Sequence, residues 1–110
     1  MNKETFFEIL SNSINNKQSL ACNIMEDSPM RFIRASEETG IDELFGFDNY
    51  LIIFEELKSW VSSNNCDYEI SPFHCFSGPS GIMMIISKDE EPLILISMYN
   101  QQLWEKYHKQ

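Results

Sequence analysis

The stretch GIMMIISKDEEPLILISMY, residues 81–99, decides the fold of this 110-residue chain. Two apolar segments, Gly81–Lys88 and Pro92–Tyr99, flank the acidic run Asp89-Glu90-Glu91, which predicts two strands joined by a hairpin loop. Neither segment alternates between apolar and polar residues, as a strand with one wet face does. Both faces of the hairpin therefore need cover. Three predicted helices can supply it, but if all three pack on one side, the other side needs a second chain.

Two of the three predicted helices precede the hairpin in the chain, and the third follows it. A helix is predicted over Asn2–Asn15 and another over Asp48–Ser63, because apolar residues recur at helical spacing in both. Asn2 and Asp48 are suitable N-caps. The closing helix is predicted to begin at about Asn100.

The remaining segments have weaker patterns. Residues 19–25 and 30–35 are interpreted as a hairpin, with a short helix as the alternative. Ile41–Phe45 is predicted as a single helical turn that ends at Gly46. Asp67–Phe76 is predicted as a strand, and Pro72 within it indicates an edge position or a bulge.

Together these elements predict an α+β fold in which residues 1–110 form a single domain. Its sheet is expected to be mainly antiparallel, with the hairpin 81–99 at the centre and three helices packed on it. The predicted core residues are Phe6, Leu10, Ile53, Phe54, Leu57, Trp60, Ile82, Met84, Ile86, Ile94, Ile96 and Leu103.

Charge and composition exclude several classes of function. The chain has 17 Asp and Glu against 8 Lys and Arg, a net charge of -9, which opposes binding to nucleic acid and to anionic membranes. No apolar run approaches the roughly 18–20 residues that span a bilayer. The N-terminus lacks the pattern of a signal peptide, and three widely spaced cysteines are typical of a reduced compartment. We therefore expect a cytoplasmic protein whose partner is a basic protein.

No motif predicts catalysis, a cofactor or a metal site. His74 and Cys75 are neighbours in a predicted strand, and such neighbours point to opposite faces. Together with Cys66 they lack the short paired spacing of zinc ligands. Ser80 lies in a GPSG run that departs from the nucleophile-elbow pattern. The chain is therefore predicted not to be an enzyme, and an enzyme built on His74, Cys75 or Ser80 is the least favoured alternative.

The negative charge is concentrated in residues 26–56, which hold nine acids and two arginines. Acids speed association with a basic surface, and interleaved aromatic residues provide anchors. A simple solvated surface is the alternative interpretation. The predicted partner-binding residues are Glu26, Asp27, Glu37, Glu38, Asp42, Glu43, Phe47, Asp48, Glu55 and Glu56.

In this profile the chain resembles the immunity proteins of bacterial toxin–immunity pairs, which are small and acidic and lack a catalytic motif. The resemblance implies an inhibitor that neutralises a cognate toxin, expected to be a nuclease with a basic active site. Two alternatives stay open: a homodimeric acidic chaperone of the secretion type, and a nucleic-acid mimic that blocks a DNA-binding enzyme. The mass in solution discriminates the homodimeric chaperone from the inhibitor.

Overall fold

A computed structural model of the chain describes residues 3–25, 30–34, 41–43, 50–74 and 78–109, with the side chains of residues 4–24, 53–74 and 78–109. The described residues form an α+β fold of helices packed on a sheet. In chain order the elements are α1 (Lys3–Asn16), β1 (Leu20–Met25), β2 (Met30–Arg34), β3 (Ile41–Glu43), α2 (Tyr50–Ser63), β4 (Asp67–His74), β5 (Ser80–Lys88), β6 (Glu91–Tyr99) and α3 (Gln101–His108).

The strands form one sheet in the order β3-β2-β1-β6-β5-β4. The pairs within β1–β3 and within β4–β6 are antiparallel, and the two halves meet along the parallel pair β1–β6, where Leu20 pairs with Ile94. The predicted α+β class and the mainly antiparallel sheet are thus confirmed. The parallel pair was not predicted, because its two strands lie far apart in the sequence and share no local signal.

The hairpin of β5 and β6 has a tighter turn than predicted. Only Asp89 and Glu90 form the turn, and both have positive φ, 52° and 68°, as both central residues of a type I′ turn do. Glu91 belongs to β6 and Ser80 to β5, so each strand begins one residue earlier than predicted. A register shift follows Ile86, and it leaves one extra residue on β6.

Gly81 is required where β5 closely approaches β6. A Cβ atom at this position would lie 2.0 Å from the carbonyl oxygen of Met98. Gly81 also pairs in register with Phe73 of β4, whose ring makes an edge contact with the ring of Tyr99 at 5.2 Å. The absence of a side chain at residue 81 therefore allows the strands to come together at this end of the sheet.

Two weaker sequence patterns had different outcomes. The interpretation of residues 19–35 as a hairpin is confirmed by the antiparallel pair β1–β2. The helical turn predicted at Ile41–Phe45 is wrong, because Ile41–Glu43 is a strand paired with β2. An isolated helical turn is unstable, whereas three residues at a sheet edge gain hydrogen bonds from an existing strand. The predicted caps Asn2 and Asp48 lie outside the described residues.

The core lies between one face of the sheet and the three helices. The even-numbered residues of β1, of 80–86 in β5 and of 94–98 in β6 are buried on this face, and the apolar ones pack against apolar residues from all three helices. Of the predicted core, every residue is buried except Trp60, which is half-buried against Phe7 with their rings 6.0 Å apart. The buried residues that were not among those predicted include Leu20, Cys22, Ile24, Val61, Leu93 and Met98.

The helix α3 closes the fold at the predicted position. Asn100 is its N-cap, and the Asn100 side-chain oxygen accepts a hydrogen bond of 3.0 Å from the backbone N–H of Leu103. Leu103 is buried in the core, and the Tyr107 ring makes an edge contact with Phe54 of α2 at 5.7 Å. The cap and these contacts fix α3 on the same face of the sheet as the other helices.

Candidate protein-binding surface

The structure describes few of the acids predicted to bind a partner. Asp42 and Glu43 lie in the edge strand β3, of which the backbone is described. Glu55 and Glu56 lie on α2, where Glu55 is exposed and Glu56 is half-buried. The remaining predicted residues lie outside the described residues: Glu26, Asp27, Glu37, Glu38, Phe47 and Asp48.

Glu55 is already engaged within α2. Its carboxylate forms an ion pair of 3.0 Å with Lys58, whose ammonium also lies 4.8 Å from the centre of the Phe54 ring. Partial burial alone would lower the pKa of Lys58, but the hydrogen bond to Glu55 and nearby negative groups raise it above its usual value. The charge of Glu55 is therefore partly compensated on the surface, which makes it a weaker contact for a basic partner than an unpaired acid.

The sheet has a second face on which none of the described helices packs. We call it the open face, and it carries the odd-numbered residues of β1, β4 and β5 and residues Leu95, Ser97 and Tyr99 of β6. Leu95 at its middle is 36% exposed, and it pairs in register with Ala21 on one side and Ile85 on the other. Ala21 and Ile85 are half-buried. An apolar row therefore crosses three adjacent strands on the face opposite the helices.

A groove of about 400 Å³ lies at one end of the open face, where β1 and β6 begin. Leu93 is the extra residue that the register shift leaves on β6, and it is buried within the groove. The groove is almost entirely apolar, which is typical of a surface that receives an apolar side chain. Its lining residues are Ser19, Leu20, Ala21, Ile85, Pro92, Leu93, Ile94 and Leu95.

An acidic margin borders the open face on β4. Asp67 and Glu69 alternate with Tyr68 and Ile70 along this strand, as the sequence pattern predicts, and both acids are exposed. Glu69 pairs in register with Ile85, so it continues the apolar row to the edge of the sheet. Neither acid has an ion-pair partner among the described residues. The open face thus combines an apolar middle with negative charge along one edge.

His74 and Ser80 lie six residues apart in the sequence, and the structure brings their side chains together. They are register partners at the ends of β4 and β5, and Nδ1 of His74 is hydrogen-bonded to Oγ of Ser80. Ser80 is 5% exposed, and no described carboxylate contacts the His74 ring. A serine nucleophile needs access to a substrate and a histidine base oriented by a third group. This pair is therefore best explained as a link that closes the ends of the two strands.

Two further aromatic contacts extend this link to α3. The ring of Trp104 lies 5.3 Å from that of His74 and is stacked on that of His108 at 3.8 Å. The ring nitrogen Nδ1 of His108 is hydrogen-bonded to the carbonyl oxygen of Trp104 at 2.8 Å. These contacts attach the exposed side of α3 to the end of β4.

The cysteines of the described residues are buried free thiols. Burial raises the pKa of Cys22 and of Cys66, and the thiol of Cys66 donates a hydrogen bond of 3.5 Å to the carbonyl oxygen of Asn64. Thiols that are buried in apolar surroundings are poor nucleophiles. Cys75 lies outside the described residues.

No group of three His, Cys, Asp or Glu side chains in the described parts of the chain is arranged to hold a metal ion. None of the helices in those parts is long and apolar enough to cross a membrane.

Comparison with known proteins found no relative. No protein-family model matches the chain, and neither a curated protein nor a solved structure matches it.

Proposed function

We propose that this chain is a cytoplasmic inhibitor that binds and neutralises a protein with a basic surface, as an immunity protein neutralises a toxin. The observation that carries the proposal is the excess of acids, a net charge of -9. Eight carboxylates are exposed and have no ion-pair partner among the described residues. They are Glu4, Glu8, Asp67, Glu69, Asp89, Glu90, Glu91 and Glu105.

Unpaired carboxylates act mainly on the association rate. They attract a basic partner over distances of about 10 Å at moderate salt, and they lose this effect when salt screens them. The acids of residues 26–56 add the largest share of the charge. The proposed partner is therefore a basic protein, such as a nuclease domain with a positive active site.

The first experiment uses the tagged chain to capture partners from a lysate of the source organism at low and at high salt. Recovery of one basic protein that high salt releases supports the inhibitor. The purified pair then allows the association rate to be measured. If no basic protein is recovered at either salt concentration, the inhibitor proposal fails.

A matched pair of variants locates the attraction. The variant Asp42→Asn/Glu43→Gln/Asp48→Asn and the control Glu4→Gln/Glu8→Gln/Glu105→Gln each remove three negative charges. We expect the first variant to slow association about 10-fold or more at low salt and the control to slow it less. Equal effects of the two variants would contradict a binding surface within residues 26–56.

A second candidate function is favoured by the open face. A homodimeric chaperone of the secretion type needs a surface on which two copies meet, and the apolar row through Leu95 has no cover from the described helices. The two candidates differ in their prediction for the free chain. The chaperone is a dimer before it meets a partner, whereas the inhibitor needs only the basic partner.

A further inference from the structure

The middle row of the open face is apolar, unlike that of a solvated sheet surface. It consists of Ala21, Leu95 and Ile85 on three adjacent strands, whereas the next row combines Met83 with the polar residues Asn23, Ser97 and Ser71. A sheet face that meets water normally carries polar residues at these positions. We infer that a second copy of this chain packs on the open face, with the two sheets face to face and Leu95 near the two-fold axis.

The area of the sheet agrees with such a dimer. The axis described below lies between β5 and β6, so the strands that face the other copy are β1, β6, β5 and β4. With about 4.8 Å between strands and about 3.3 Å per residue, these four strands give each copy a face of roughly 500 Å² in projection. Two such faces in contact remove about 1,000 Å² from solvent, the least that a specific interface needs. The groove of about 400 Å³ beside Leu95 offers room for an apolar side chain of the other copy.

The charge distribution selects one arrangement of the two copies. Asp67 and Glu69 lie on β4 at one edge of the sheet, whereas Ala21 and Asn23 on β1 are uncharged. A two-fold axis that runs parallel to the strands, between β5 and β6, places β4 of each copy opposite β1 of the other. Asp67 and Glu69 of one copy then lie away from Asp67 and Glu69 of the other, so these described acids make no like-charge contact.

The net charge of the two copies gives the dimer a distinctive dependence on salt. Each copy carries -9, so long-range repulsion opposes the dimer at low salt and is screened at high salt. The dimer should therefore tighten as salt is added. A complex with a basic partner should weaken under the same change, so the two kinds of assembly respond to salt in opposite directions.

The dimer does not depend on the inhibitor proposal, and it is the assembly that the chaperone proposal requires. A monomeric chain that binds a basic protein would overturn the dimer and leave the inhibitor in place. A salt-stabilised dimer that captures no basic protein would support the dimer and overturn the inhibitor.

The test compares two exposed apolar residues on opposite faces of the sheet. Leu95→Glu places a charge in the middle of the open face, whereas Tyr68→Glu places the same charge on the helix-bearing face, where Tyr68 is 42% exposed. The dimer dissociation constant is measured by sedimentation equilibrium at about 50 mM and about 500 mM NaCl. We expect the wild-type dimer to be several-fold tighter at the higher salt concentration.

The two variants should differ clearly in their dimer dissociation constants. Leu95 occurs twice in the dimer, so Leu95→Glu is expected to raise the dissociation constant about 100-fold or more, and Tyr68→Glu to change it by less than about threefold. The inference is overturned if the wild type is monomeric at both salt concentrations. It is also overturned if the dimer weakens with salt, or if both variants weaken it equally.

A measurement on the wild-type chain covers the case in which Leu95→Glu does not fold. The methyl NMR signals of Ala21, Ile85 and Leu95 should shift on dilution, while those of the core residues Ile53 and Leu57 should not. Dilution shifts confined to the helices would place the contact elsewhere and overturn the inference.

Discussion

Replacing Gly81 by Ala tests the close approach of β5 and β6. The new Cβ atom would lie 2.0 Å from the carbonyl oxygen of Met98, although Cβ atoms essentially never come nearer than 3.0 Å to such an atom. The two strands must then separate by about 1 Å, which breaks or weakens about two hydrogen bonds worth about 1 kcal/mol each. With the cost of the displaced packing, we expect the free energy of unfolding to fall by about 3 kcal/mol.

Urea denaturation, followed by the fluorescence of Trp60 and Trp104, measures this loss. At about 1–3 kcal/mol per molar urea, the midpoint should fall by about 1–2 M. The control is Gly78→Ala, because Gly78 is exposed and does not have positive φ. The reasoning is refuted if Gly81→Ala unfolds within about 0.5 kcal/mol of the wild type, since the strands would then accommodate a side chain without separating.

Three further changes test other parts of the fold. Glu90→Gly should raise the free energy of unfolding by about 1 kcal/mol in the same urea experiment, because glycine adopts the positive φ of the turn without strain, whereas Glu90→Ala should give no gain. Asn100→Ala removes the N-cap of α3 and should lower the free energy of unfolding by about 1 kcal/mol, whereas Asn100→Asp should keep most of it. Equal melting temperatures for the two variants would show that the cap is unimportant. Burial raises the pKa of Cys22 above the 9.0 of an accessible thiol, so the unfolded chain loses this proton first as the pH rises. This contribution to the free energy of unfolding is fully present below about pH 9 and falls by up to about 1.4 kcal/mol per pH unit above it. Urea curves at several pH values should show a smaller decrease with pH in Cys22→Ala. An unchanged decrease would contradict the assignment to the buried Cys22 thiol.

Local sequence patterns are sufficient to predict the long elements of this fold. The helix α2 and the hairpin of β5 and β6 each combine a long apolar pattern with clear turn or end signals. The helix α2 ends at the predicted residue Ser63, and each strand of the hairpin begins one residue earlier than predicted. The strand β3 has only three residues, so its conformation depends on pairing with β2 and not on its own pattern. A sequence pattern of that length cannot separate a strand from a helical turn.

The binding surfaces were predictable only in part. The lack of alternation around Ile85 and Leu95 predicted that both faces of the hairpin need cover. The choice of face by the helices was not predictable, because an amphipathic helix can pack on either side of a sheet that is apolar on both. The link between His74 and Ser80 was also missed, since it depends on the register of β4 against β5.

The parallel pair β1–β6 has a consequence for the folding of the chain. The sheet consists of two antiparallel meanders, β1–β3 and β4–β6, each of which can form from residues close together in the chain. The two meanders are joined by the pairing of β1 with β6, which cannot form until the last strand is present. Pairings between residues far apart in the sequence slow folding. Until residues 91–99 are synthesised, the edge of β1 is an unpaired strand that is open to other chains. Protection of this edge during synthesis would therefore increase the yield of folded protein.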